Sequence, residues 1–278
     1  MTGAAIGAIH PVPELGDPII RLRGVNKSFG AVQVLRNVDF DAYAGQVTAL
    51  IGDNGAGKST LVKCIGGAHL ADSGEFRFAG APVQVNSPRD AALLGIEIVY
   101  QDLVLCENLD IVQNMFLGRE LGTSIRTLDE NSMERLAGET LTGLSVRTVR
   151  SLRQKVSSLS GGQRQSVAIA KSVLWNSKVV ILDEPTAALG VAQTAQVLEL
   201  MRQLADNGLT VIFISHNMRD VLEVSDRIAV LYLGRMAAQV RRADATQTQL
   251  IELITAGRSA GVGLPRAVNG LNGPSATA

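Results

Sequence analysis

Hydrophobic and polar positions along the chain follow two periods. Short apolar runs bounded by turn residues predict strands at residues 19–25, 32–40 and 46–51. Residues 76–78 and 82–85, joined by Ala79-Gly80-Ala81, read as a hairpin. Ser87-Pro88-Arg89-Asp90 opens a short helix: serine as cap, proline at the first helical position, an acid in the first turn. Gly95 is placed to end it. Residues 96–100 return to strand. The pattern then changes over residues 103–175. No strong β-branched run interrupts residues 108–152, and Ile111, Val112, Met115 and Phe116 fall at helical spacing, as do Met133, Leu136, Ala137 and Leu141. Strands resume at 178–182, 209–215 and 227–233, with a helix at 193–204 between the first two. Thr246-Gln247-Thr248-Gln249 is a capping-box pattern that opens a last helix. Apolar strands alternating with helices predict an α/β sheet interrupted by a helical subdomain.

Composition narrows this picture. The 278 residues are ample for a core, and 46% hydrophobic content excludes a largely disordered chain. Lys plus Arg (26) balance Asp plus Glu (26), which excludes a generally basic nucleic-acid binder. The best apolar run, Ile228 to Leu233, is a buried strand in length, since a membrane span needs about 18–20 residues. Residues 1–17 lack a positive n-region and a long apolar stretch, so no secretory signal is expected; they and the Gly- and Pro-containing residues 258–278 read as flexible segments. Cys64 and Cys106 have no metal-ligand spacing and read as reduced thiols; His10, His69 and His216 are too scattered to suggest a histidine-built metal site.

The candidate chemistry begins at Gly52-Asp53-Asn54-Gly55-Ala56-Gly57-Lys58-Ser59, a full match to G-x-x-x-x-G-K-[ST]. A strand at 47–51 leads in, and a helix from Thr60 to residue 65 leads out. Glycines let successive N–H groups turn toward phosphate oxygens, and the helix N-terminus adds its dipole. Lys58 then supplies charge for the β- and γ-phosphates, and the Ser59 hydroxyl a ligand for Mg²⁺. A second element, Val179 to Leu182, is an apolar strand ending in Asp183-Glu184. Carboxylates ejected at the C-terminal end of a buried strand stand where open α/β sheets bind ligands. Asp183 is the expected Mg²⁺ holder and Glu184 the general base for an attacking water.

Leu159-Ser160-Gly161-Gly162-Gln163 lies 20 residues ahead of that acidic pair and is the signature sequence of ATP-binding cassette (ABC) ATPases. The chain resembles that family over roughly residues 18–257. Residue by residue, the resemblance makes Gln101 the Q-loop glutamine, sensing Mg²⁺ and the γ-phosphate, and His216 the switch histidine. It makes Phe29 the aromatic that stacks on adenine. Ser160, Gly161, Gly162 and Gln163 would close over ATP bound to a second cassette in a head-to-tail dimer. The implied fold is a P-loop core of mixed sheet flanked by helices, with an antiparallel β subdomain and an inserted helical subdomain at about 103–175. One departure stands out: Ala187-Ala188-Leu189-Gly190 occupies the place of the family's Ser-Ala-Leu-Asp, so the D-loop aspartate is missing.

Within the family, a single cassette without fused membrane helices or a long coiled coil fits an importer subunit better than a DNA-acting or ribosome-acting protein. Val99-Tyr100-Gln101-Asp102-Leu103, Gln113 to Glu120, Thr186 to Val191 and Ser215-His216-Asn217-Met218 resemble single-cassette monosaccharide importers of the fructose, ribose and xylose kind. That resemblance implies a homodimer or cassette pair on the cytoplasmic face of a membrane. Its partners would be a separate permease and, indirectly, a solute-binding protein, with no nucleic acid. An amino-acid or other small-solute importer is the alternative, and a soluble ABC ATPase uncoupled from transport a more distant one.

Overall fold

The computed structural model describes residues 16–123, 127–144, 146, 151–187 and 189–259. The segments read as flexible therefore lie almost wholly outside the described residues. The chain opens with β1 (Ile20–Phe29), β2 (Val32–Ala42), β3 (Val47–Gly52) and α1 (Lys58–Ile65). Then follow β4 (Ser73–Phe78), β5 (Ala81–Pro82), α2 (Pro88–Leu94) and β6 (Ile96–Val99). Three helices come next, α3 (Ile111–Phe116), α4 (Glu130–Gly143) and α5 (Gly161–Val173). The last part is β7 (Val179–Asp183), α6 (Val191–Asp206), β8 (Thr210–Ile214), α7 (Met218–Val224), β9 (Arg227–Tyr232), β10 (Arg235–Arg241) and α8 (Gln247–Ala256).

Two sheets result. A four-stranded antiparallel sheet has the order β2-β1-β4-β5, and a six-stranded sheet the order β10-β9-β3-β8-β7-β6. In the second, only the β9–β10 hairpin is antiparallel. Its inner strands read as continuous apolar runs because both faces are covered. Val47, Ala49 and Ile51 face one core cluster with the three central helices, α6 and α8. Leu50, Val179, Ile181, Ile212 and Ile214 face the other, shared with α1, α2 and the antiparallel sheet. The parallel register brings Asp183 opposite Ile214 and Gly52 opposite Leu231. The C-terminal ends of β3, β6, β7 and β8 thus emerge along one edge, and the segments carrying Lys58, Gln101, Glu184 and His216 leave from there.

Among the described residues of 103–175 lie α3, α4 and α5: Met133, Ala137 and Leu141 are buried along α4, with Leu136 only partly so, and Ile111, Val112, Met115 and Phe116 along α3. Several boundaries differ. β1 runs to Phe29 rather than ending at 25. The second arm of the early hairpin is only Ala81–Pro82, with one further backbone bond beyond it from Val83 N–H to Phe76 O at 2.9 Å. The helix after the phosphate loop begins at Lys58, not Thr60. Gly161 and Gly162 open α5, because Ser160 and Gln163 cap each other's backbone N–H groups. The sequence reading did not foresee α7 or β10.

Candidate functional site

The phosphate loop is shaped by contacts from β9 and the turn after it. Gly52 adopts φ 154°, and a Cβ there would stand 2.2 Å from the Leu231 carbonyl oxygen. No residue but glycine fits that approach. The loop closes with Ala56 N–H donating to Asp53 O at 3.1 Å. α1 has Gly57 as its cap, no capping side chain and no acid in its first turn. Its first N–H groups are therefore left for an anion, with the helix dipole behind them. Lys58 Nζ donates to Gly52 O at 2.8 Å and Asp53 O at 3.0 Å, which holds the amine across the loop mouth. Burial pulls the Lys58 pKa below the ordinary lysine range, against the opposing pull of Glu184, Asp53 and Asp183.

Across the edge, β7 delivers the two acids. Burial, reinforced by Glu184, raises the Asp183 carboxyl above its usual range, with Lys58 and Lys63 opposing. Glu184 has φ 50°, a conformation costly for a residue with a side chain, at roughly 1–3 kcal/mol. Its N–H donates to Ile214 O on β8 at 3.1 Å, and its carbonyl accepts from Ala187 N–H at 3.1 Å, closing a turn with Pro185 at the second position. The carboxylate meets the segment that follows β8. There Glu184 Oε2 lies 2.8 Å from His216 Nδ1; the histidine side chain is 73% exposed and the glutamate 16%.

Two adjoining clefts collect these groups. One, of about 450 Å³, is lined by Gly57, Lys58, Ser59, Thr60 and Asp183 among others. Another, of about 540 Å³, takes in Gly52, Asp53, Ser215 and His216. Asn54, Gln101 and Glu184 line both. Phe29 and the signature residues line neither. Phe29 ends β1 half-exposed, its ring edge-on to His69 at 5.1 Å and 5.3 Å from Lys27 Nζ. Ser160 and Gly161 are exposed at the start of α5, which packs on α6: a Cβ on Gly162 would approach Gln193 Cβ at 3.0 Å. Gly190 caps α6 where the family has its aspartate. Ala188 lies outside the described residues.

Sequence reasoning missed three neighbours of the site. Tyr100 has a phenol held above its ordinary range by burial and then by Asp183. The Leu233-Gly234 turn donates Gly234 N–H to Ala56 O of the phosphate loop at 3.0 Å. Asp220 on α7 accepts a hydrogen bond from Thr186. Only Asp220 carried a sequence signal, four residues past His216 on a short helix.

A family model described as ABC transporter matches residues 35–187. The chain is 46% identical to the fructose import ATP-binding protein FrcA of Rhizobium meliloti, over 86% of this chain and 94% of that protein. The chain belongs to the ABC transporter family. It is also 44% identical to the xylose/arabinose import ATP-binding protein XylG of Sulfolobus acidocaldarius, over 85% and 94% of the two chains. The ribose import ATP-binding protein RbsA 1 of Rubrobacter xylanophilus matches at 39% over 90% of this chain, which spans 49% of that protein. Among solved structures, a nucleotide-free ATP-binding cassette from an ABC transporter superposes with TM-score 0.71 at 26% identity, covering 81% and 91% of the two chains. CbiO1 from Clostridium perfringens does so with TM-score 0.73 at 25%, covering 87% and 96%. The fold is that of an ABC ATPase cassette, and the chain is an ATPase of that kind.

The site's donor set suits Mg²⁺ brought in with a nucleotide. Among the described residues no cluster of three or more His, Cys, Asp or Glu side chains could hold a metal by itself. A hydroxyl (Ser59), a carboxylate (Asp183) and an amide (Gln101) are hard oxygen donors, and Mg²⁺ takes few protein ligands when phosphates supply the rest. Burial first, and Glu184 second, raise the Asp183 carboxyl, and a bound cation would favour its charged form.

Proposed function

We propose that this chain hydrolyses ATP as one of two cassettes powering import of a monosaccharide through a separate permease at the cytoplasmic face of a membrane. The observation that carries this reading is the 46% identity to a fructose import ATP-binding protein over 94% of that protein. No helix among the described residues is long and apolar enough to cross a membrane, which suits a peripheral subunit.

In this reading Lys58 and the open N-terminus of α1 bind the β- and γ-phosphates. Ser59, Asp183 and Gln101 would hold Mg²⁺, which neutralises charge on the phosphoryl oxygens. Glu184 accepts a proton from water as the water oxygen bonds to the γ-phosphorus; the bond to the β–γ bridging oxygen breaks, leaving ADP and phosphate. With its Nδ1–H donated to Glu184, His216 holds that carboxylate until its ring turns to the γ-phosphate. Phe29 stacks on the adenine. Ser160 to Gln163 cap the partner cassette's nucleotide, which the exposure of Ser160 and Gly161 supports.

A third cleft, about 310 Å³ and lined by Tyr100, Leu103, Val104, Met115, Arg119 and Trp175, suits a permease segment. Arg164 bonds Glu107 at 2.8 Å, joining the stretch beyond Gln101 to the signature. The test is Glu184→Gln. It should bind ATP, lose about a hundredfold or more in hydrolysis, and form an ATP-trapped dimer. A wild-type rate would overturn the assignment. Reconstitution with its permease should give ATP-dependent uptake of labelled fructose, xylose or ribose; uptake of amino acids instead would overturn the sugar reading.

A further inference from the structure

We infer that Asp220 is a positioning residue for hydrolysis, holding the Glu184 turn in place through the Thr186 hydroxyl; this rests on the reading of Glu184 as the general base. Asp220 is 3% exposed, and a carboxylate so buried requires hydrogen-bond donors. Thr186 Oγ1 donates to Asp220 Oδ2 at 2.7 Å. Asp220 also stands in the first turn of α7, where the helix dipole favours its charge.

The placement matters because two segments are tied at two points. Glu184 and Thr186 share one turn, closed by the Ala187 N–H to Glu184 O bond. His216 and Asp220 share the other segment, His216 lying two residues before α7. The outer tie, Glu184 to His216, faces the cleft and must be given up when the histidine turns to a phosphate. The inner tie, from half-buried Thr186 to buried Asp220, does not involve the histidine and survives that change. Without it, a turn already strained at Glu184 would be free to relax and carry the carboxylate off line. A displacement near 1 Å is enough to cost about 100-fold in rate.

Three variants separate positioning from stability. Thr186→Ser keeps the donor and should hydrolyse ATP close to wild type. Thr186→Val keeps the shape but removes the donor, and should lower kcat by about 10- to 100-fold with KM for ATP changed less than about twofold. It also leaves a buried carboxylate short of a donor, so Tm should fall. Thr186→Val with Asp220→Asn removes that charge and should recover Tm but not kcat. Recovery of kcat in the double variant would overturn the inference, as would a kcat loss that merely follows the folded fraction. Glu184→Gln run alongside isolates the underlying reading: a wild-type rate there means the base assignment has failed, whereas an inactive Glu184→Gln beside a fully active double variant means that only the Asp220 role has.

Discussion

Gly234→Ala tests whether a turn remote in sequence supports the phosphate loop. Gly234 has φ 80°, and a Cβ there would lie 2.3 Å from the Val34 carbonyl oxygen on β2. Its N–H donates to Ala56 O at 3.0 Å, and its carbonyl accepts from Arg36 N–H at 2.7 Å. Alanine in this left-handed conformation costs about 1–2 kcal/mol. Moving the turn off Val34 weakens two backbone hydrogen bonds worth about 1 kcal/mol each. The total is roughly 2–4 kcal/mol, or about 5–15 °C in Tm for a chain of this size. Gly80→Ala is the control. Gly80 has φ 81°, yet no atom lies within 4 Å of its added Cβ, so it carries the conformational cost alone, about 2–6 °C. Calorimetric unfolding of both proteins isolates the clash and the hydrogen bonds. Because Ala56 lies inside the phosphate loop, Gly234→Ala should also raise KM for ATP several-fold, while Gly80→Ala should not. Equal Tm losses would refute the steric argument, and an unchanged KM would refute the link from turn to loop.

Two further outcomes follow from single residues. Burial pushes the Cys64 thiol from its ordinary 9.0 to about 11, so the folded state keeps its proton to higher pH than the unfolded chain. The associated stability is fully present below pH 9 and is lost as pH rises toward 11, at most about 2–3 kcal/mol; Cys64→Ala should flatten that loss in alkaline melts. At pH 8 a thiol reagent should modify the part-exposed Cys106 quickly and Cys64 only on unfolding, so two fast-reacting thiols would refute the burial argument. Gly190→Asp restores the missing D-loop carboxylate where an added Cβ meets nothing within 4 Å and the backbone is open to any residue (φ −73°, ψ 163°). As a helix cap it should add a few tenths of a kcal/mol, and a Tm drop of several degrees would show that this place requires glycine.

What the sequence made legible was what the chain builds locally. Residues 52–59 span the end of one strand, a short loop and the start of one helix, and Asp183-Glu184 stands at the end of one strand, so their proposed chemistry could be read before any neighbour was known. The Ser160 and Gln163 cap was equally local, and it starts α5 at two glycines although glycine is a poor helix former. The reciprocal cap outweighed that propensity. The Leu233-Gly234 hairpin escaped notice because the sign of such a turn is Asn-Gly or Asp-Gly, and here leucine takes the first left-handed position at φ 45°. The deeper limit is strand order. Thr186 and Asp220 stand 34 residues apart and meet because β7 lies beside β8. Gly52 and Leu231 meet because β3 lies beside β9. A single sequence shows which strands exist without showing which are adjacent. The parts proposed to carry the chemistry lie in short contiguous stretches and are readable, whereas the parts that hold them in line are products of adjacency. Damage at the Leu233-Gly234 turn should therefore reach ATP binding through the phosphate loop, whereas damage at the Thr186–Asp220 tie should spare binding and appear as lost turnover, which is what the Thr186 and Asp220 variants measure.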